Sequence, residues 1–306
     1  MKPENVPPQL GECLDRVFAI FDASPLYFGH GTDSAWDEAV QLVLQAAELP
    51  LDSGDEVLGN VLDDLQRQRI ARWTQRRVEE RIPLPYLTGS AWFAGLPFHC
   101  DARALVPRSP LGELIARDYQ PWWAGAAPRR ILDLCCGGGS IGIAAARYNE
   151  LCEVVLTDIS DEALELAREN VALHEVGDRV TVVQGDLFGG LGDERFDLIL
   201  TNPPYVDGGD LASMPAEYLA EPPLGLGSGA DGLDLSRRIL SEAGTYLHEH
   251  GMLFLEVGNS WAALDELLRD QALSWVSFES GGHGVLAASA GELPSIRAGL
   301  AVIPHS

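Results

Sequence analysis

Lysine is all but missing from this chain: Lys2 is the only one in 306 residues. Counting arginine, 21 basic side chains face 46 acidic ones, which leaves a formal charge of −25 and a pI near 4.4. A broad basic surface for nucleic acid is thereby excluded. A basic protein is the more natural partner of such a field, which otherwise serves solubility or a saline cytoplasm. Long apolar runs are missing too. No stretch of about 18 apolar residues exists, so no membrane-spanning helix is expected. The opening MKPENVPPQLGE lacks the apolar core of a secretory leader. The chain reads as cytoplasmic. Cysteine is sparse and irregular, at Cys13, Cys100, Cys135, Cys136 and Cys152. The count is odd, and the adjacent pair fits neither a CxxC redox motif nor a zinc knuckle. These read as reduced small residues, with no metal expected.

What is present suffices for a real core. The composition, 46% hydrophobic and 22% charged, is that of an ordinary globular protein. The length suits one large domain with a smaller companion. Residues 1–82 read as a helical domain. LGECLDRVFAIFDAS has apolar residues at helical spacing. SAWDEAVQLVLQAAEL follows, capped by Thr32 or Asp33 and ended by Pro50. The stretch 55–82 reads as one broken helix or two. Residues 83–108 carry short aromatic and apolar runs broken by Gly89 and Gly95, the pattern of a β-hairpin linker. From 109 to 306 a helix, SPLGELIARDYQPWW, leads into alternating strands and helices. RRILDLC, EVVLTD, RVTVVQGD, RFDLILT and GMLFLEVG are the strands, with SWVSFES and HGVLAAS as a final antiparallel pair. Repeated βα units with continuously apolar strands predict an α/β fold built on a mainly parallel sheet covered on both faces. Such sheets bind ligands at the carboxyl ends of their strands.

Four strand ends carry chemistry. The first loop, 133-DLCCGGGSIG-142, contains G-x-G-x-x-G at Gly137, Gly139 and Gly142. A dinucleotide reading is opposed by Asp133, which would repel a pyrophosphate, and by the length of the turn. A carboxylate there accepts from an ammonium or from backbone amides, so the ligand looks like a nucleoside carrying an amino acid; otherwise Asp133 only caps the turn. Asp158 ends the second strand and suits ribose hydroxyls. Asp186 follows the third, where it can accept from an adenine amine with Leu187 or Phe188 against the ring, or else cap a helix.

The fourth end is 202-NPPY-205. Two prolines fix φ, and Pro203 holds Asn202 extended. Neither proline donates a hydrogen bond, yet both carbonyls accept. The set suits a planar –NH2 group, with one proton on the Asn202 oxygen, one on the Pro203 carbonyl and the plane against Tyr205.

Asp133 with its glycine turn, Asp158, Asp186 and N-P-P-Y resemble the class I S-adenosylmethionine-dependent methyltransferases that act on nitrogen. The order of helical domain, hairpin and catalytic domain resembles the HemK-like glutamine methyltransferases, as do 106-VPRSP-110 and 221-EPPLGLGSGADGLDLSRRIL-240. One branch of that family modifies release factors and another ribosomal protein uL3. The stretch 27-YFGHGTDSAWDEAVQLVL-44 and VPRSP look like the uL3 branch. The resemblance implies a Rossmann-like seven-stranded sheet, S-adenosyl-L-methionine as cofactor, and a glutamine amide of uL3 as methyl acceptor, met before ribosome assembly is complete. It also implies positions. Asn202, Pro203 and Tyr205 hold the carboxamide. Asp133, Cys135, Gly137 and Gly139 line the methionine part of the cofactor. Asp158 and Ile159 take the ribose, Asp186 and Leu187 the adenine, and Asn202 borders both ligands. A DNA adenine methyltransferase shares NPPY but must flip a base and grip phosphates, for which this charge balance is unsuited. No acid or base in these motifs is fit to deprotonate an amide, so catalysis by positioning is expected. Tyr27, Phe28 and Trp36 read first as core and otherwise as a surface for the protein substrate.

Overall fold

A computed structural model describes residues 2–279 and 281–301. The chain divides into two compact units. The first comprises Met1–Ala91, Cys100–Ala102 and Pro215–Glu221, and the second Trp92–His99, Arg103–Met214 and Pro222–Ser306.

In the first unit, α1 (Leu10–Asp22), α2 (Ala35–Ala46), α3 (Asp64–Glu79) and the short α4 (Leu84–Thr88) enclose a core that includes Leu10, Val17, Phe21, Leu42 and Ile70. Burying each such side chain contributes about 1.5–3 kcal/mol. The cap of α2 is Ser34, whose hydroxyl accepts from the Asp37 amide at 3.1 Å, and not Thr32 or Asp33 as expected. Thr32 points inward instead and donates to Glu38 at 3.2 Å. The stretch 55–82 holds a single-turn 3-10 helix, Asp55–Val57, and then one α-helix. A capping box between Asp63 and Gln66 starts that helix.

A buried ionic cluster ties segment 215–221 to these helices. Arg77 is 1% exposed and pairs with Glu38 and Glu217. It also donates to the Tyr27 carbonyl at 2.7 Å. Burial pushes the Glu217 carboxyl up, but the Tyr27 amide and Arg77 prevail and hold it below its ordinary value. His30 and Glu221, both buried, meet at 3.5 Å. The core reading fails for Tyr27 and Trp36, which are 43% and 44% exposed. Trp36 meets the Phe18 ring edge to face, with centroids 5.3 Å apart. Phe28 is part-buried, with the Arg77 guanidinium 5.7 Å above its ring.

A two-stranded ribbon, β1 (Ser90–Phe93) and β2 (Leu96–His99), turns through Ala94 and Gly95, both at positive φ, as a tight hairpin demands. The expected helix over 109–123 shrinks to α5 (Leu111–Ala116), because Asp118 and Tyr119 turn left-handed.

The second unit is built on a seven-stranded sheet of β3 (Arg130–Leu134), β4 (Glu153–Asp158), β5 (Val180–Gln184), β6 (Phe196–Thr201), β7 (Leu247–Glu256), β8 (Ser274–Trp275) and β9 (Val285–Ser289). Their order is β5-β4-β3-β6-β7-β9-β8, with β3 to β7 parallel and β9 antiparallel to both neighbours. The predicted strand over 274–280 is thus two residues long, and its last position, Ser280, lies outside the described residues.

Alternate strand residues enter opposite layers. Ile131, Val154, Leu198 and Phe254 pack with α5, α6 (Ser140–Tyr148) and α7 (Asp161–Leu173). Leu132, Val155, Ile199 and Leu253 pack with α9 (Asp234–Tyr246), α10 (Trp261–Leu267) and α11 (Leu293–Ala301). Two covered faces explain the continuous apolar runs. Four short helices exceed the sequence expectations: α4, within the span read as a hairpin linker, α8 (Gly208–Ser213), α10 and α11. Among the described residues no helix is long and apolar enough to cross a membrane.

Candidate active site

The parallel strands stop together. Asp133 lies in register between Leu156 of β4 and Leu200 of β6, and Thr201 lies beside Leu255 of β7. One edge of the sheet therefore gathers the loops after β3, β4, β5, β6 and β7.

After β3 the backbone turns through Cys135, Gly137 and Gly139, all at positive φ, into α6. Asp133 is wholly buried. Its Oδ2 accepts from the Gly142 amide at 2.7 Å, so it does cap the turn. Its Oδ1 has no partner among the described residues. Burial first, and Asp158 after it, push this carboxyl up to about 8 against the pull of the Gly142 amide. Gly142 must be glycine, because a Cβ there would lie 2.3 Å from the Leu156 side chain. Burial also pushes both thiols of the pair well up, so Cys135 and Cys136 serve as small neutral groups.

Asp158 binds the glycine turn from the next strand. Its Oδ2 accepts from the Gly137 amide and its Oδ1 from the Ser160 amide, both at 2.9 Å. Ile159 beside it is 52% exposed and offers an apolar face. Asp186 sits at the same edge, exposed, with Arg238 of α9 donating to it at 2.9 Å. The Leu187 and Phe188 side chains turn inward. Phe188 stacks on Tyr246 at 4.5 Å and is committed to the core.

After β6 comes the NPPY loop. Thr201 donates to the Leu134 carbonyl at 2.7 Å and fastens the end of β6 to β3. Asn202 Oδ1 is buried and without a partner among the described residues. A buried carbonyl oxygen left unpaired costs about 1–3 kcal/mol, so this is an acceptor held ready for a donor. Pro203 is buried. Tyr205 is fixed at both ends: Ser260 donates to its carbonyl at 2.9 Å, and its hydroxyl donates to Glu256 Oε1 at 3.2 Å. Val206 and Gly227 form a parallel bridge, which brings 221–240 against NPPY. The Gly232 position lies against the Tyr205 carbonyl.

Asp133, Asp158, Asp186 and Asn202 thus share one edge, as the sequence suggests. Glu256 was not anticipated, although an acidic residue ending a parallel strand is the same signal that marks Asp133 and Asp158.

A family model for the methyltransferase small domain matches residues 123–220. The ribosomal protein uL3 glutamine methyltransferase of Francisella tularensis is 46% identical over 272 residues, covering 89% of this chain and 87% of that protein. Its counterpart from Xanthomonas campestris is 48% identical over 274 residues, covering 89% and 88%. The chain belongs to the glutamine methyltransferase family of these two proteins. A methyltransferase of solved structure from Pyrococcus furiosus is 20% identical, with a TM-score of 0.46 over 64% of this chain and 89% of that one.

The site of this methyltransferase suits S-adenosyl-L-methionine in its donor set. The Asp133 oxygen without a partner supplies an acceptor for an ammonium and the Asp158 carboxylate acceptors for hydroxyls, with the exposed Ile159 as an apolar face beside them. No cluster of His, Cys, Asp and Glu that could hold a metal occurs among the described residues.

Proposed function

We propose that this protein methylates the side-chain amide nitrogen of a glutamine in ribosomal protein uL3, using S-adenosyl-L-methionine, in the cytoplasm and before ribosome assembly is complete. The unpartnered Asn202 Oδ1 at the ligand edge carries the proposal, because it asks for an –NH2 donor in a rigid setting. The family relationship and the acidic surface, suited to a basic partner, support the choice of uL3.

When bound, the cofactor supplies a methyl group made electrophilic by its sulfonium. Asp133, Cys135, Gly137 and Gly139 receive its methionine end. Asp158 and Ile159 take the ribose, and Asp186 and Leu187 flank the adenine, with the Leu187 side chain turned into the core. Asn202 and the Pro203 carbonyl accept the two amide protons and present the nitrogen in line, which removes much of the entropy of meeting. An amide nitrogen is a weak nucleophile, so acceptors aimed at its protons matter most as positive charge grows there. The face of Tyr205 adds a cation–π contribution of about 1 kcal/mol.

The test incubates the purified protein with uL3 and with a release factor, a labelled methyl donor and mass-spectrometric readout. One methyl group on a uL3 glutamine is expected. Label confined to the release factor, or absent from both, would refute the assignment.

A further inference from the structure

Behind Tyr205 lies a carboxylate that the reading above does not use. Glu256 ends β7 and is 4% exposed. Its Oε1 accepts from the Tyr205 hydroxyl at 3.2 Å, and its Oε2 from Ser109 of the VPRSP stretch at 2.6 Å. The two motifs, nearly a hundred positions apart in sequence, thus meet on one side chain. Burying a carboxylate is costly, and a glutamine of the same shape would avoid most of that cost. A side chain kept against its own burial, at the ligand edge and bonded to a clamp residue, points to work on the clamp.

We propose that Glu256 is a positioning residue of the amide clamp, fixing the Tyr205 ring through its hydroxyl while Ser109 holds Glu256 itself in place. This rests on the glutamine reading only in giving Tyr205 a substrate to face. Tyr205 comes from the loop after β6, and Ser109 and Arg108 from the loop before α5. From β9 comes Val285, on a strand with no ionisable side chain. Burial dominates and pushes the carboxyl up to about 7 against the pull of Ser109, Tyr205 and Arg108. Its charge therefore changes across the neutral range. When charged, it pulls harder on the phenol hydroxyl and enriches the ring that faces the developing cation.

Glu256→Gln keeps the acceptor for Tyr205 and removes the charge. Turnover is expected to fall about tenfold or more, with the KM for cofactor within about twofold. The wild-type turnover should drop as pH falls through the neutral range, and the variant should lose that limb. Tyrosine labelled at the carbon bearing the hydroxyl, assigned through Tyr205→Phe, gives a second readout without any substrate. Its resonance should titrate near neutrality in the wild type and stay flat in Glu256→Gln. A flat wild-type resonance, or a variant with unchanged turnover and pH profile, overturns the proposal. A flat resonance in an enzyme that still methylates uL3 removes this role alone and leaves the glutamine reading intact. A titrating resonance in a protein that methylates no glutamine supports the role and removes the glutamine reading. The wild-type titration decides the matter even if the variant folds poorly.

Discussion

Arg77 and Glu217 lie 140 residues apart and meet at 3.0 Å, with side-chain exposures of 1% and 2%. Glu38 and the Tyr27 carbonyl also bind the guanidinium, which lies over the Phe28 ring. Taking one partner from such a pair leaves a buried charge without compensation, at a cost of about 3–5 kcal/mol. Arg77→Ala should lower stability by that order in chemical denaturation. Glu217→Gln should also destabilise at neutral pH. Because Glu217 is held below its ordinary value, its contribution is present above that value and is lost as pH falls through the folded one. The gap between Glu217→Gln and wild type should therefore close in acid. A constant gap would show that the charge of Glu217 does not stabilise the fold.

Asn202→Asp keeps an acceptor oxygen, loses the amide donor and adds a charge at the ligand edge. Cofactor affinity by titration calorimetry should stay within a few fold. Methyl transfer should fall by about two orders of magnitude, the scale seen when one preorganised polar group is lost. Undiminished transfer would remove Asn202 from the clamp.

Gly258 sits at φ 47°, and a Cβ there would lie 2.4 Å from the Tyr205 ring. Gly258→Ala should displace the ring and cost about 1–3 kcal/mol through overpacking and backbone strain. The melting temperature and turnover should fall together. A variant that melts and turns over as wild type does would mean that the ring tolerates displacement.

Asp133 and Glu256 have folded values raised to about 8 and about 7. The unfolded chain gives up these protons earlier, so between the ordinary carboxyl range and the raised values the native state binds more protons. Stability from these groups is full in acid and is lost as pH rises through the folded values. Glu256→Gln removes one of the two. Its stability relative to wild type should rise between about pH 4.5 and about pH 7, by roughly 3–4 kcal/mol at 1.4 kcal/mol per unit. Denaturation curves at several pH values measure this, and parallel wild-type and variant curves would contradict it.

A formal charge of −25 should hasten encounter with a basic protein. The screening length falls from about 10 Å to about 3 Å between 0.1 M and 1 M salt. Over that range kcat/KM for uL3 should drop while kcat holds steady. A salt-independent kcat/KM would leave the acidity with solubility alone.

The sheet and most of its ligand edge were legible because their signals are local. β4 coincides with EVVLTD, since apolar side chains on both faces leave no helical alternative. Asp133, Asp158 and Asn202 announce themselves as polar residues ending apolar runs. Glu256 carries the same mark, but only the fold brings Ser109 and Tyr205 to it. Arg77 was illegible for another reason. It lies in a helix dense with charge, where each arginine looks solvated, and the partner that lets it be buried comes from a distant segment. The short α10 and α11 have too few turns for periodicity to stand out.

Segment 215–221 belongs to the helical unit, while the chain on both sides of it belongs to the other unit. The polypeptide therefore passes between the two several times, and no single cut yields two intact pieces. A catalytic fragment begun after residue 91 would still carry Glu217 but lose Arg77 and Arg81, which pair with it. The helical unit is thus no detachable accessory. A chimera that exchanged the helical unit for a relative's version would have to carry 215–221, ten residues downstream of NPPY, along with it.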